Sequence, residues 1–311
     1  MAIVTFTMNP AIDVSAAVAR VMPRHKLRCT SARRDPGGGG INVARVVARL
    51  GSDVRAVYPV GGPIGDLLRR LVDAEAVASQ TIPLSQDTRE SFTVGEEETG
   101  KQYRFVLPGP ELTSDECGQC LAAVAQIRPA PTFFVASGSM PTGVPDDFLA
   151  RVARTAKAVG AKVVVDTSGP ALAAALDEGV FLIKPNLREL QELVGSPLDG
   201  REQQLAAARS LIEKRTAEVV ALTLGHLGAL LVTQRQAFYA PALPLKPASV
   251  VGAGDSFLGA MVWSLDAGLG IEEAFRHGVA GGSAALLSRG TGLCKADDVR
   301  RLSPQVHLQQ L

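Results

Sequence analysis

The chain has 311 residues, 46% of them hydrophobic, enough to bury a full core in one large α/β domain with a small accessory piece. Its 32 basic and 31 acidic side chains leave a formal charge of +1, which excludes a global field for holding nucleic acid or an anionic membrane, so the partner is small and any anion on it must be gripped locally. No apolar run approaches the ~18 residues of a membrane span, and the opening MAIVTFTMNPAID is broken where a signal peptide would be continuous, which points to the cytoplasm.

Along the chain, short Val/Ile-rich runs at residues 2–7, 132–136, 162–166, 179–183 and 219–223 alternate with Ala/Leu-rich stretches of helical spacing. That rhythm predicts an α/β fold with a mostly parallel central sheet covered by helices. It breaks around 14–34, 89–94 and 102–107, where polar and apolar residues alternate without intervening helices, as in an exposed antiparallel sheet. These segments are expected to form a lid inserted at about 12–35 and 88–108 into a single domain spanning 1–311. Cys117 and Cys120 have the spacing of a metal or redox pair, but no second Cys/His pair accompanies them and their Leu/Ala-rich surroundings read as a helix.

Several segments carry candidate chemistry. Asp13 follows the first strand into the lid, where it can hold two hydroxyls of a ligand or serve as a turn residue. Asp35-Pro-Gly-Gly-Gly-Gly40-Ile-Asn42 runs from a loop into a helix, and four adjacent glycines suggest that a ligand lies against the backbone. A polyol fits, with Asn42 supplying a donor and an acceptor; a lid hinge is the alternative. Gly95-Glu-Glu-Glu-Thr-Gly-Lys101-Gln102 nearly matches a P-loop, but it ends in Gln and its three glutamates would repel phosphate, so it reads as a hairpin turn. Arg89 and Arg104, on the strands flanking it, are candidates to clamp a phosphate or are simply solvated strand residues.

Lys184-Pro-Asn186-Leu-Arg-Glu189 follows an apolar strand at the edge where parallel sheets bind ligands. Asn186 and Glu189, three apart at a helix start, can approach a hydrated magnesium ion or close a capping box. Thr223-Leu-Gly225-His-Leu-Gly228 reads as a glycine turn suited to a nucleotide. Val251-Gly252-Ala253-Gly254-Asp255 leads directly into an apolar helix: its successive N–H groups suit a phosphoryl group gaining negative charge, and Asp255 is either the base for an attacking hydroxyl or a plain N-cap.

With these elements the chain resembles the ribokinase-like (PfkB) carbohydrate kinases from Ile3 to about Arg300, and within them the branch of the minor bacterial 6-phosphofructokinases. The resemblance rests on Lys26-Leu-Arg28-Cys-Thr, Pro36-Gly-Gly-Gly-Gly-Ile-Asn-Val-Ala-Arg45, Gln102-Tyr-Arg-Phe-Val106, Ser137-Gly-Ser139, Lys184-Pro-Asn186, Val251-Gly-Ala-Gly-Asp-Ser256 and Gly290-Thr-Gly-Leu-Cys294. It implies a three-layer α/β/α domain with a β-sheet lid and ATP-dependent phosphorylation of fructose 6-phosphate, with Asp255 as base and Gly252, Ala253 and Gly254 as anion hole. Asp13, Gly38, Gly39, Asn42, Ser137 and Ser139 would hold the sugar, and Arg89 and Arg104 its phosphate. Lys184, Asn186, Glu189, Thr223, Gly225, Gly228 and Ser283 would serve ATP and magnesium, with Glu189 toward the metal. Ser249, Val251, Ala285, Ser288 and Gly290 match the positions that hold a potassium ion in many members. In the family the lid strands of two subunits clasp each other, so the resemblance also implies a homodimer in which Lys26 and Arg28 complete a site. Ser288 and Gly292 depart from the branch, which has Asn and Arg there; the departures bear on potassium dependence and on the inhibition by a second ATP known in relatives, and Gly292 breaks the terminal Gly-Thr-Arg-Leu-Cys signature. Kinases of fructose 1-phosphate or tagatose 6-phosphate share the pattern, and a non-catalytic sugar-phosphate sensor is the alternative of another class, against which an intact Gly252-Ala-Gly-Asp255 stands.

Overall fold

The computed structural model describes residues 3–30, 32–288 and 290–311. Ala2, at the head of the first expected strand, and Ser31, within the first expected lid segment, lie outside them. In chain order, strand β1 (Ile3–Phe6) leads to β2 (Ala11–Val18), β3 (Arg33–Gly37), helix α1 (Gly39–Arg49), β4 (Val54–Val60), α2 (Gly62–Ala74), β5 (Ala78–Pro83), β6 (Arg89–Glu96) and β7 (Gln102–Val106). There follow α3 (Ser114–Ala125), β8 (Phe133–Ser137), α4 (Phe148–Ala158), β9 (Lys162–Asp166), α5 (Gly169–Asp177), β10 (Val180–Ile183), α6 (Leu187–Val194), α7 (Arg201–Glu213) and β11 (Ala217–Thr223). The chain closes with β12 (Ala229–Thr233), β13 (Ala237–Ala240), α8 (Ala253–Asp266), α9 (Ile271–Ala285), α10 (Ala296–Leu302) and β14 (Gln309–Gln310).

Ten strands form the main sheet in the order β14-β13-β12-β11-β10-β9-β8-β1-β4-β5, parallel from β5 to β11 and antiparallel beyond. Its central strands are apolar on both faces because helices cover both. Along β1, Ile3 joins the core under α1, α8 and α9, whereas Val4 and Phe6 join the core under α3, α4 and α5. Side chains such as Phe134, Val164 and Leu182 are fully buried, each worth roughly 1.5–3 kcal/mol of transfer free energy. The strand order reverses around β1, between β4 and β8, so a crevice opens beyond the carboxyl ends of these strands.

The lid is a four-stranded sheet, β3-β2-β6-β7. It corrects the sequence expectation twice. Residues 19–30 are irregular, so the first lid segment is two strands separated by a crossing rather than one continuous alternation. The sheet is also mixed: β2 pairs antiparallel with β3, and β6 with β7, but β2 and β6 run parallel over eight residue pairs. Both strands continue from parallel strands of the main sheet, β1 and β5, and therefore leave its edge in the same direction. The turn between β6 and β7 spans the P-loop-like segment, confirming a hairpin; there Glu96 takes bonds from the Val21 N–H and the Thr99 hydroxyl. Cys117 and Cys120 lie buried in α3, and burial pushes the Cys120 thiol up to about 12, as befits core residues.

Candidate active site

Where the lid overhangs the crevice there is a cleft of about 400 Å³. The carboxyl ends of β8 and β9 supply Ser137 and Asp166, the lid supplies Asp13, Arg89 and Arg104, α1 and its N-cap supply Gly38, Gly39 and Asn42, and the start of α8 supplies Gly252, Gly254 and Asp255. Ser139 and Val251 also line it. Residues far apart in sequence thus converge because parallel strands all end at the same edge.

Helix α8 begins at Ala253, so Asp255 stands at its third position and is not the N-cap. Gly252 takes that place at φ 76°, a left-handed conformation that favours glycine, and a Cβ there would meet Leu293 at 2.7 Å. The N–H groups of the first turn lack i−4 partners within the helix by position, although Ala253 N reaches the Val250 carbonyl at 3.5 Å, and the positive end of the dipole lies beside the cleft that Gly252 and Gly254 line. Asp255 accepts a 2.8 Å hydrogen bond from Asn42 Nδ2. Burial pushes its carboxyl up to about 6 and the Asp166 charge adds to this, while the Asn42 bond and Lys184 pull it down. The group is therefore ionised at neutral pH yet close to its titration range.

The glycine run is also packed from behind by the protein itself. A Cβ on Gly39 would stand 2.2 Å from Ser137 Oγ, and one on Gly40 would stand 2.5 Å from Thr7 Oγ1 and 2.7 Å from the Phe6 carbonyl. The backbone there is pressed against the protein's own strands, and Gly38 and Gly39 line the cleft as well. Asn42 likewise spends one donor on Asp255 and one acceptor site on Arg45.

Asp13 faces the cleft from β2, and burial raises its carboxyl above the ordinary range against the pull of Arg104 and Arg89. Arg89 donates to the carbonyls of Asn9 (3.0 Å) and Leu107 (3.1 Å), so its guanidinium also ties the lid to the main domain. The Arg104 side chain has no hydrogen-bond partner among the described residues and is exposed at the cleft rim. Ser139 accepts from Asn9 Nδ2 at 3.2 Å.

A second group lies beside the cleft at the ends of β10 and β11. Lys184 is buried 3.1 Å from Asp166; burial works against its charge, but Asp166, Glu189 and Asp255 raise its pKa above the ordinary value. Asn186 and Glu189 do close a capping box, through Glu189 N to Asn186 Oδ1 (2.9 Å) and Asn186 N to Glu189 Oε2 (2.8 Å), so the bland reading of their spacing holds. Glu189 Oε1 takes no hydrogen bond among the described residues, which leaves it able to face a hydrated cation. Thr223 bridges to Asn186, and Gly225 opens a 3-10 turn that Gly228 follows. Ser283 sits near the end of α9.

Ser249 Oγ donates to the Gly290 carbonyl (2.8 Å), Ser288 Oγ donates to the Leu293 carbonyl (3.0 Å), and Ala285 O accepts from Ser288 N (3.0 Å), so these residues belong to one loop pair behind the start of α8. Lys26 and Arg28 do not line the cleft of their own chain. Sequence reading passed over Asp166, although an Asp closing an apolar strand at the ligand edge was visible in the run 162–166. Asn9, Ser91 and Arg45 were also missed; each looks like an ordinary strand, loop or helix residue until the fold places it.

The profile of the pfkB family carbohydrate kinases matches residues 4–298. The chain is 46% identical over 299 residues, 96% of its length and 88% of the relative's, to ATP-dependent 6-phosphofructokinase isozyme 2 of Mycobacterium tuberculosis. It is 31% identical over 309 residues to 1-phosphofructokinase of Bacillus subtilis, covering 99% of this chain and all of that one. Among solved structures, phosphofructokinase-2 of Escherichia coli in complex with potassium superposes with a TM-score of 0.94 at 40% identity over 98% of both chains. Its complex with fructose-6-phosphate superposes at 0.92 and 38% over 98% of this chain and 99% of that one, and its tetrameric inhibited form at 0.92 and 39% over 98% of both.

Proposed function

The chain belongs to the pfkB family of carbohydrate kinases, and from that premise we propose that it transfers the γ-phosphoryl group of ATP to the 1-hydroxyl of fructose 6-phosphate. The observation that carries this reading is the meeting of Asp255 with Asp13, Arg89 and Arg104 around one cleft, which provides a base, hydroxyl acceptors and a place for a phosphate already on the sugar. Greater identity to a 6-phosphofructokinase than to a 1-phosphofructokinase supports the position of that phosphate.

In the proposed reaction the 1-hydroxyl oxygen forms a bond to the γ-phosphorus while the bond from that phosphorus to the β-bridging oxygen breaks. The hydroxyl proton passes to the Asp255 carboxylate, and ADP leaves with the electron pair. Because the transition state is loose, the proton moves late and a carboxylate titrating near 6 is basic enough. The backbone N–H groups of Gly252, Ala253 and Gly254 face the equatorial oxygens as they gain charge. Asp13, Asn42, Gly38, Gly39, Ser137 and Ser139 orient the ring, and Arg104 with Arg89 holds the 6-phosphate.

Lys184, Asn186, Thr223, Gly225, Gly228 and Ser283 hold the nucleotide. Magnesium fits the uncommitted Glu189 Oε1 and the nucleotide phosphates, as expected of an ion that keeps much of its water; its chemistry is to neutralise phosphate charge. Ser249, Val251, Ala285, Ser288 and Gly290 offer neutral oxygens, a donor set suited to a monovalent cation such as potassium. The lid's outer face carries Phe92 directly opposite Phe105, 36% and 56% exposed, and self-association through this face, with Lys26 and Arg28 reaching a neighbour's site, is part of the same reading. Such a kinase works in the cytoplasm, where its two substrates are found.

An ADP-release assay with MgATP and a panel of fructose 6-phosphate, fructose 1-phosphate, tagatose 6-phosphate, fructose and ribose, with and without potassium, tests the reading. Preference for fructose 6-phosphate is expected. Preference for another phosphosugar would keep the mechanism and move the substrate, whereas turnover of neutral sugars alone would refute the arginine clamp.

A further inference from the structure

Beneath the cleft, helix α1 places Asn42 and Arg45 one turn apart, on the same face. Arg45 is fully buried, and its contacts run in two directions. One terminal nitrogen donates to Asn42 Oδ1 (3.2 Å) and to the Pro36 carbonyl (2.9 Å). The other donates to Glu75 Oε1 (2.6 Å) and stands 3.8 Å from Asp35. Glu75 is held in turn by Arg49 at 2.8 Å, and Asp35 by Arg33 at 2.7 Å and by the Thr291 hydroxyl at 2.5 Å.

The amide of Asn42 has two ends of nearly equal size, and only one of them suits a carboxylate. Its NH2 group donates to Asp255; its oxygen, turned the same way, would repel it. Arginine carries donors alone, so the amide end that meets Arg45 is the oxygen, and the NH2 end is thereby directed at Asp255. Among the described residues Asn42 is the one side chain that hydrogen-bonds to Asp255, so the aim of that carboxylate depends on which way Asn42 is turned. A buried guanidinium is costly where an apolar side chain of similar volume would fill the space, and the Glu75 pair alone does not account for its contact with Asn42.

We propose that Arg45 is a positioning residue for phosphoryl transfer, locking the Asn42 amide so that its NH2 holds the Asp255 carboxylate toward the attacking hydroxyl. The proposal rests on the reading of Asp255 as the base. Arg45 is fully buried away from the substrates, so its effect through Asn42 falls on the rate of the chemical step.

A double-mutant cycle tests it. Arg45→Met leaves Glu75 paired with Arg49, and Asp35 with Arg33 and Thr291, so the fold is expected to survive, with thermal melting as the check. In the otherwise native chain the substitution should lower kcat about 10- to 100-fold, the scale of a misaimed reacting group, and change KM for ATP and the phosphosugar less than about 2-fold. In an Asn42→Ala background the same substitution should lower kcat by less than about 2-fold, because the group through which it acts is gone. Equal losses in both backgrounds would overturn the proposal, as would an unchanged kcat in the native background. Should Arg45→Met not fold, Arg45→Lys replaces it, retaining a charge for Glu75 but no fork that spans both partners, with the same two comparisons. If Asp255→Asn retained full turnover, the base reading would fall by itself, while the Arg45–Asn42 cycle would still report whether the two residues act as one unit.

Discussion

Lys184 Nζ lies 3.1 Å from Asp166 Oδ1, a pair of one buried and one half-buried charge joining the ends of two adjacent parallel strands, and both charges act on Asp255. Asp166 holds the Asp255 proton on and Lys184 draws it off. Asp166→Asn removes only the first influence, so the acid limb of kcat/KM should move from about 6 to lower pH. A limb moving upward would mean that Asp166 does not act on the base as a charge. The same variant should melt at lower temperature, because Lys184 stays buried with a weaker partner.

Asp255→Asn should reduce kcat by about 10²- to 10⁴-fold while the dissociation constants of ATP and phosphosugar change little, since proton acceptance alone is lost. Single-turnover rates combined with equilibrium titration separate the two quantities. In the native chain, activity should decrease as pH is lowered through about 6, because the folded protein holds this carboxyl above its ordinary range and the protonated form accepts no proton.

Arg104→Ala should raise KM for the phosphosugar about 10- to 100-fold, the value of a charged hydrogen-bonding contact, and leave KM for ATP nearly unchanged. Arg89→Ala should instead affect melting temperature as well, because that guanidinium also holds the Asn9 and Leu107 carbonyls. Steady-state kinetics on both substrates, with calorimetry, would distinguish a clamp from a brace.

Phe105→Glu places a charge opposite Phe92 on the outer face of the lid and should shift the protein to smaller species in light scattering after size exclusion, without lowering the melting temperature of the monomer. An unchanged mass would exclude this face as the interface.

Glu116, buried in the capping box of α3, accepts from the N–H groups of Ser85 and Thr113 and from both their hydroxyls. These bonds hold its carboxyl at about 2, below its ordinary 4.5. A lowered acid pKa contributes stability that is complete above 4.5 and is lost as pH falls toward 2. Glu116→Ala should therefore cost roughly 1–3 kcal/mol at neutral pH and flatten this part of the acid unfolding curve, as read by denaturant titration at several pH values.

The alternation of strands and helices, the inserted lid and the turn at Val251–Asp255 are legible in the chain, because periodicity, apolar runs and glycine placement are local properties that local physics reads directly. The sequence also carried the family likeness, through short motifs whose spacing the chain preserves. It did not determine that β2 and β6 run parallel, that the glycine run is pressed on Thr7 and Ser137, or that the Asn42 amide lies between Arg45 and Asp255. Those depend on contacts between residues up to 213 positions apart. Such contacts leave no periodic mark on the chain, and only the packed sheet, which brings every strand end to one edge, decides which side chains meet there.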